Sequence, residues 1–118
     1  SGIDVSRPGD VQQGIVHKLA QETLDYIGAG VQLPKEKVVC YGDYYQPGYS
    51  RPNPGMVEAV KMVAQTEAIL LDPVYSGKAM AGLIDLVRKG HFAEGSNVLF
   101  LHTGGSPALY AYLPTFMN

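Results

Sequence analysis

Ile69-Leu70-Leu71-Asp72-Pro73-Val74-Tyr75-Ser76-Gly77-Lys78-Ala79-Met80-Ala81-Gly82-Leu83-Ile84-Asp85-Leu86-Val87-Arg88-Lys89-Gly90 is the stretch on which the fold turns. Ile69-Leu70-Leu71 is a short apolar run suited to a buried strand. From about Ser76 the apolar period changes to that of a helix, with Ala79, Met80, Leu83, Ile84 and Val87 facing inward. Arg88 and Lys89 sit favourably at its negative end, and Gly90 stops it. A strand thus feeds the N-terminus of a helix through the connection Asp72–Gly77.

The same unit recurs on both sides. Upstream, Gly2–Ser6 reads as a strand closed by Arg7-Pro8-Gly9. Asp10 and Gln13 form a candidate capping box for a helix. Its inward stripe is Val11, Ile15, Leu19, Thr23 and Ile27, widened by Val16, Ala20 and Leu24, and Gly28 or Gly30 ends it. Val38–Tyr41 is a second strand, and Asn53-Pro54 caps and starts a helix with Met56, Val57, Val60, Val63 and Ala64 inward. Downstream, Asn97–His102 is the last strand, Thr103-Gly104-Gly105 its exit loop, and Ser106-Pro107 the start of a short helix. Alternating strands and helices predict an α/β fold of three layers, a mostly parallel sheet flanked by helices.

Composition bounds the function. The chain has 118 residues, 46% hydrophobic and 17% charged, with a formal net charge of -2. It forms a single α/β segment, residues 1–118. Near-neutral charge without like-charge blocks gives no footprint for nucleic acid or an anionic membrane. No apolar run approaches the ~18 residues of a spanning helix. The single cysteine, Cys40, makes no internal disulfide and reads as a buried strand residue of a reducing, cytoplasmic protein. His17, His91 and His102 are too scattered to suggest a metal site. The opening Ser1-Gly2-Ile3, without methionine and already apolar, is expected of a cut through a longer protein.

Ligands of open α/β sheets bind outside the carboxyl ends of the strands. The exit loops Asp72–Lys78 and His102–Ser106 each lead into a helix N-terminus, which offers free N–H groups to an anion. The loop Gly42–Asn53 holds Tyr44, Tyr45 and Tyr49, and so much aromatic surface is expected to pack on a ligand or another subunit. Together these suit a small anionic ligand or a planar cofactor. Taken alone, Tyr75 is a packing tyrosine, Ser76 a helix cap, and Gly104-Gly105 a tight turn.

Three segments in order, Asp43-Tyr44-Tyr45-Gln46-Pro47-Gly48-Tyr49, Leu71–Leu83 and Leu101-His102-Thr103-Gly104-Gly105-Ser106-Pro107-Ala108-Leu109, resemble landmarks of the D-cysteine desulfhydrase and 1-aminocyclopropane-1-carboxylate deaminase family. The resemblance covers essentially the whole chain. It implies a tryptophan-synthase-β-like fold and pyridoxal 5'-phosphate as cofactor. It makes this chain the C-terminal third of a longer enzyme, part of its large domain. The Schiff-base lysine and the phosphate-cradling loop lie in segments that this chain lacks. Lys78, close to Tyr75, is therefore not read as that lysine. The resemblance further implies a small amino-acid substrate, a homodimer at full length, and an isolated chain that self-associates and is inactive.

Carried over by position, Tyr75 matches the family's active-site tyrosine and Tyr49 a second one, the catalytic pair. Ser76 falls near the pyridine nitrogen, where deaminases carry glutamate and desulfhydrases usually threonine. Thr103 falls where deaminases carry leucine and desulfhydrases threonine, and Gly104 belongs to the same cofactor-binding loop. Hydroxyls at 76 and 103 favour a carbon–sulfur lyase releasing pyruvate, sulfide and ammonia from D-cysteine. Ring-opening deamination of aminocyclopropane carboxylate is the enzymatic alternative. A non-catalytic α/β module that binds an anion is the alternative of another class.

Overall fold

Gly2–Ile3 (β1) and Cys40–Tyr41 (β2) pair in parallel, with Gly2 opposite Cys40 and Ile3 opposite Tyr41. Backbone bonds Gly2 N to Val39 O, 2.8 Å, and Asp4 N to Tyr41 O, 2.9 Å, extend the ladder at both ends. The computed structural model describes residues 1–117. Between the strands runs α1, Gly9–Tyr26, followed by a 3-10 turn at Lys35–Lys37. Then come α2, Pro54–Glu67, and α3, Ser76–Arg88. A 3-10 helix at Ser106–Tyr112 leads into α4, Leu113–Phe116. The α/β class with parallel pairing is as the alternation predicts. Among the described residues no helix is long and apolar enough to cross a membrane.

The core lies where α2 and α3 pack on each other. Met56, Val60, Val63 and Leu71 are buried, with Val57, Met80, Phe100, Leu109 and Phe116 closing around them. Asn53 caps α2 as its sequence predicts, its Oδ1 accepting from Met56 N at 2.8 Å, with Pro54 in the first turn. On the sheet side, Ile3 fills the notch left by Gly82 of α3. A Cβ there would stand 2.6 Å from Ile3 Cδ1.

Three expectations need correction. The helix α1 starts at Gly9, not through an Asp10–Gln13 box. Pro8 occupies the cap position, and no side-chain cap bond forms. The start is set by close approach: a Cβ on Gly9 would stand 2.6 Å from the Cys40 carbonyl oxygen. Gln13 instead donates to Val38 O at 2.7 Å, tying α1 to the segment entering β2.

The stripe of α1 is also not buried in this chain. Val11, Ile15, Val16 and Ile27 are exposed, and Leu19 is 63% exposed. A helix can carry a core-facing period without its cover, because the period is set by sequence and the cover by other residues.

Finally, Ile69–Leu71 and Asn97–His102 form no strands. A strand exists by its ladder, and among the described residues no backbone ladder reaches either segment. The Leu70 carbonyl oxygen instead accepts from Ser106 Oγ at 2.7 Å and from His102 Nε2 at 3.1 Å. Alternation nevertheless survives: Phe100 packs on the core while Leu99 is 93% exposed and Leu101 77% exposed.

Asp4, just past β1, is 5% exposed, and its Oδ2 has no partner among the described residues. Burial pushes its carboxyl up to about 6, only partly opposed by the Arg7 charge. A carboxyl raised on folding favours the folded state while protonated. That contribution is complete below the ordinary value of 3.8 and is lost as pH rises through about 6. Asp4→Asn is therefore expected to stabilise the chain at neutral pH by about 1–2 kcal/mol. Urea midpoints should show this gain shrinking to nothing below pH 3.8.

Candidate functional site

Asp72 is 1% exposed and organises the connection into α3. Its Oδ2 accepts from Val74 N and Tyr75 N, each at 2.7 Å. Its Oδ1 accepts from Ser76 N at 2.7 Å and from Ser76 Oγ at 2.6 Å. Its own N–H donates to Ser76 Oγ at 2.8 Å, and its carbonyl accepts from Gly77 N at 2.8 Å. Burial alone would raise the carboxyl. The Ser76 hydroxyl and the three amides outweigh burial and hold it below the usual carboxylate range. A fixed anion thus sits on the free N–H groups at the start of a helix, where it is most stable.

The second exit loop closes over this centre. Gly105 has φ +89, and a Cβ on it would lie 2.9 Å from Asp72 Cγ. Only glycine fits both that backbone and that clearance. His102 Nε2 meets the Leu70 carbonyl at 3.1 Å, while Gly104 N donates to His102 Nδ1 at 3.0 Å. Because a carbonyl only accepts, these two bonds together require the neutral ring with its proton on Nε2. Thus His102 positions the loop.

The tyrosine loop is anchored on its own chain. Asn53 Nδ2 donates to Tyr44 O at 3.2 Å and to Gln46 O at 2.7 Å. The Tyr44 hydroxyl donates to Asp85 Oδ2 at 2.6 Å, and burial with that bond pushes the phenol up to about 12. Ser50 and Tyr112 share a hydroxyl bond, and the Tyr112 hydroxyl also donates to Ser50 O at 2.9 Å. Lys78, 0% exposed, donates from Nζ to Tyr45 O at 2.9 Å and to Gly48 O at 2.7 Å.

These anchors bring the Tyr49 hydroxyl into a hydrogen bond with the Tyr75 hydroxyl. The rings meet edge to face, with centroids 5.8 Å apart and planes at 65°. That bond raises the Tyr49 phenol, so Tyr49 keeps its proton.

Tyr75, Ser76 and Thr103 line one cavity of roughly 590 Å³, walled by apolar residues that include Ile3, Leu83 and Phe100. The two exit loops therefore open on the same side, as the sequence predicts. Apolar walls with a few convergent hydroxyls fit a flat heteroaromatic ring. The Ser76 hydroxyl donates to Asp72 Oδ1 and accepts from Asp72 N–H, so one lone pair remains. Two candidates stand apart from this cavity. Tyr49 reaches it only through Tyr75, and Gly104 is not among its lining residues, with its amide engaged by His102.

Sequence reasoning passed over Lys78 as a loop anchor. A signal was present: a lysine in the first turn of a helix is at the wrong end of the dipole. Nothing in the sequence alone marked the Ser50–Tyr112 pair, which joins residues far apart in the chain.

Residues 3–104 match the family described as pyridoxal-phosphate dependent enzyme. A protein of Pseudomonas syringae pv. tomato named 1-aminocyclopropane-1-carboxylate deaminase is 46% identical over 111 residues, 94% of this chain and 33% of that protein. One of the same name from Bradyrhizobium sp. is 40% identical over 117 residues, 99% of this chain and 34% of its own length. A Schizosaccharomyces pombe protein named as a probable deaminase of that kind is 44% identical over 117 residues, 99% of this chain and 35% of its own length. The crystal structure of an ACC deaminase homologue superposes with a TM-score of 0.83 at 34% identity, covering 98% of this chain and 34% of that one. The chain spans about a third of the length of the curated relatives it matches.

Proposed function

The chain belongs to the pyridoxal-phosphate-dependent enzyme family, and from that membership we propose that it forms the C-terminal third of an enzyme that opens the ring of 1-aminocyclopropane-1-carboxylate. The products that balance are 2-oxobutanoate and ammonia, with one water consumed. The single observation that supports this reading is the hydroxyl pair: Tyr75 lines the cavity and is hydrogen-bonded from behind by Tyr49. Pyridoxal phosphate, when bound, supplies the electron sink at the substrate's α-carbon. This chain's residues would do the rest. The apolar wall excludes water and holds the ring. Ser76, on the cavity wall, would accept from the ring with its remaining lone pair. Tyr75 moves a proton at the substrate, with Tyr49 hydrogen-bonded to its oxygen.

The relatives' names favour this over release of sulfide from D-cysteine, which residues 76 and 103 suggest when read alone. Half of that suggestion rests on a free Ser76 hydroxyl, and the Ser76 hydroxyl already donates its hydrogen bond to the Asp72 carboxylate. D-cysteine desulfhydration remains the second reading, favoured by Thr103 on the cavity wall. The uncovered stripe of α1 and the unpaired Asn97–His102 segment are surfaces for the rest of the enzyme or a second subunit of a homodimer. Assaying the full-length enzyme with both substrates tests the reading. The expected kcat/KM for 2-oxobutanoate formation exceeds that for sulfide release by about tenfold or more. Sulfide release without ring opening would overturn it.

A further inference from the structure

We propose that Lys78 is a positioning residue, holding the Tyr45–Tyr49 turn so that the Tyr49 hydroxyl meets that of Tyr75. This rests on the reading of the two tyrosines above. Two features make a lysine costly at this place. It is 0% exposed, and none of the ion pairs among the described residues gives it a carboxylate. It also lies in the first turn of α3, where the positive end of the helix repels a cation. A methionine of similar length would fill the same space without either cost.

What the ammonium gains is two carbonyl oxygens of one loop, Tyr45 O at 2.9 Å and Gly48 O at 2.7 Å. Each oxygen already accepts a turn bond, from Gly48 N at 3.0 Å and from Arg51 N at 3.3 Å. Lys78 thus joins two successive turns that share Gly48 into one unit, with Tyr49 inside the second. The loop's ends have other anchors, Asn53 at Tyr44 and Gln46, and Tyr112 at Ser50. Losing Lys78 would therefore free Gly48 and Tyr49 while leaving the ends in place. Burial lowers the Lys78 amine, in keeping with a site that lacks a counter-charge.

The test is ¹³Cζ-tyrosine NMR of the chain across pH, with Tyr49→Phe to assign the signal, beside amide hydrogen exchange. In Lys78→Met the Tyr49 phenol should fall toward its ordinary value of 10.0. Exchange at Gly48 and Arg51 should speed by about tenfold or more, while Val60 and Val63 in α2 keep their protection. Lys78→Gln, which retains two N–H donors, should recover part of both signals. Unchanged Tyr49 titration, or equal loss of protection across α2, α3 and the loop, would overturn the proposal. Should the Met variant not fold, the Gln variant carries the same readout. Failure of both to fold would make Lys78 scaffold only and overturn it as well. These signals do not depend on substrate, so failure of the deaminase reading alone would leave them intact.

Discussion

Tyr75→Phe in the full-length enzyme is expected to lower turnover by about 10²-fold or more, the usual contribution of a positioned proton-transfer group. The hydroxyl is the only part removed, so the ring should still wall the cavity and KM should change much less than kcat. Tyr49→Phe should have a smaller effect, because Tyr49 acts on the Tyr75 oxygen and does not line the cavity. The 118-residue chain alone, supplied with pyridoxal phosphate, is expected to release neither 2-oxobutanoate nor sulfide. It offers one wall of a site, and preorganised hydroxyls lose most of their effect when water faces them. Steady-state assays of the full-length enzyme decide the role of Tyr75. Undiminished kcat in the Phe variant would remove that role, and product from the lone chain would remove the one-wall reading.

Asp72→Ala is expected to cost about 3–5 kcal/mol in a urea unfolding measurement. The loss strands the amides of Val74, Tyr75 and Ser76 and the Ser76 hydroxyl, all bonded to the carboxylate in a buried place. Against a typical domain stability of ~5–15 kcal/mol, that is a large share. Asp72→Asn, which keeps an acceptor oxygen, should cost less. The pH dependence has the opposite sign to that of Asp4. A carboxyl lowered on folding contributes its full stability above the ordinary 3.8, and the contribution is lost as pH falls through the lower folded value. Acid titration of the wild type should therefore show stability rising from pH 6 toward 3.8 as Asp4 takes its proton, then falling below it as Asp72 does. The Asp72→Ala variant should lack the second limb. A cost under about 1 kcal/mol, the range of an exposed cap, would show that the network does not carry the turn.

Local rules made several features legible. Asn53-Pro54 before an apolar stripe marks the start of α2, because cap and first-turn chemistry act within three residues. The helix from Ser76 and the parallel pairing near Gly2 and Cys40 follow from period and turn signals of the same short range. Asp72 anchors the loop that enters α3, its carboxylate accepting from the amides of Val74, Tyr75 and Ser76. The three quoted segments carried the family, since the loop residues that build a site are close in sequence within each segment. Tyr75 and Thr103 do line one cavity, but the parallel strands expected to bring them there are not formed by Ile69–Leu71 and Asn97–His102.

Other features depended on partners distant in the chain. Whether Asn97–His102 is a strand depends on a neighbour's backbone, and here side chains occupy the Leu70 carbonyl instead. Whether the α1 stripe is core depends on what covers it. Gln13 reads as half of a capping box until Val38 O is seen within its reach. Ser76 reads as free for the cavity until its hydroxyl is seen donating to Asp72, and that single bond changes the weight of the substrate argument. Lys78 belongs to a loop whose Gly48 carbonyl lies thirty residues earlier. The sequence by itself determined the helical periods, the Asn53 cap and the family. Tertiary structure alone decided which polar groups were already engaged, because a hydrogen bond is a property of two atoms and the sequence shows one at a time.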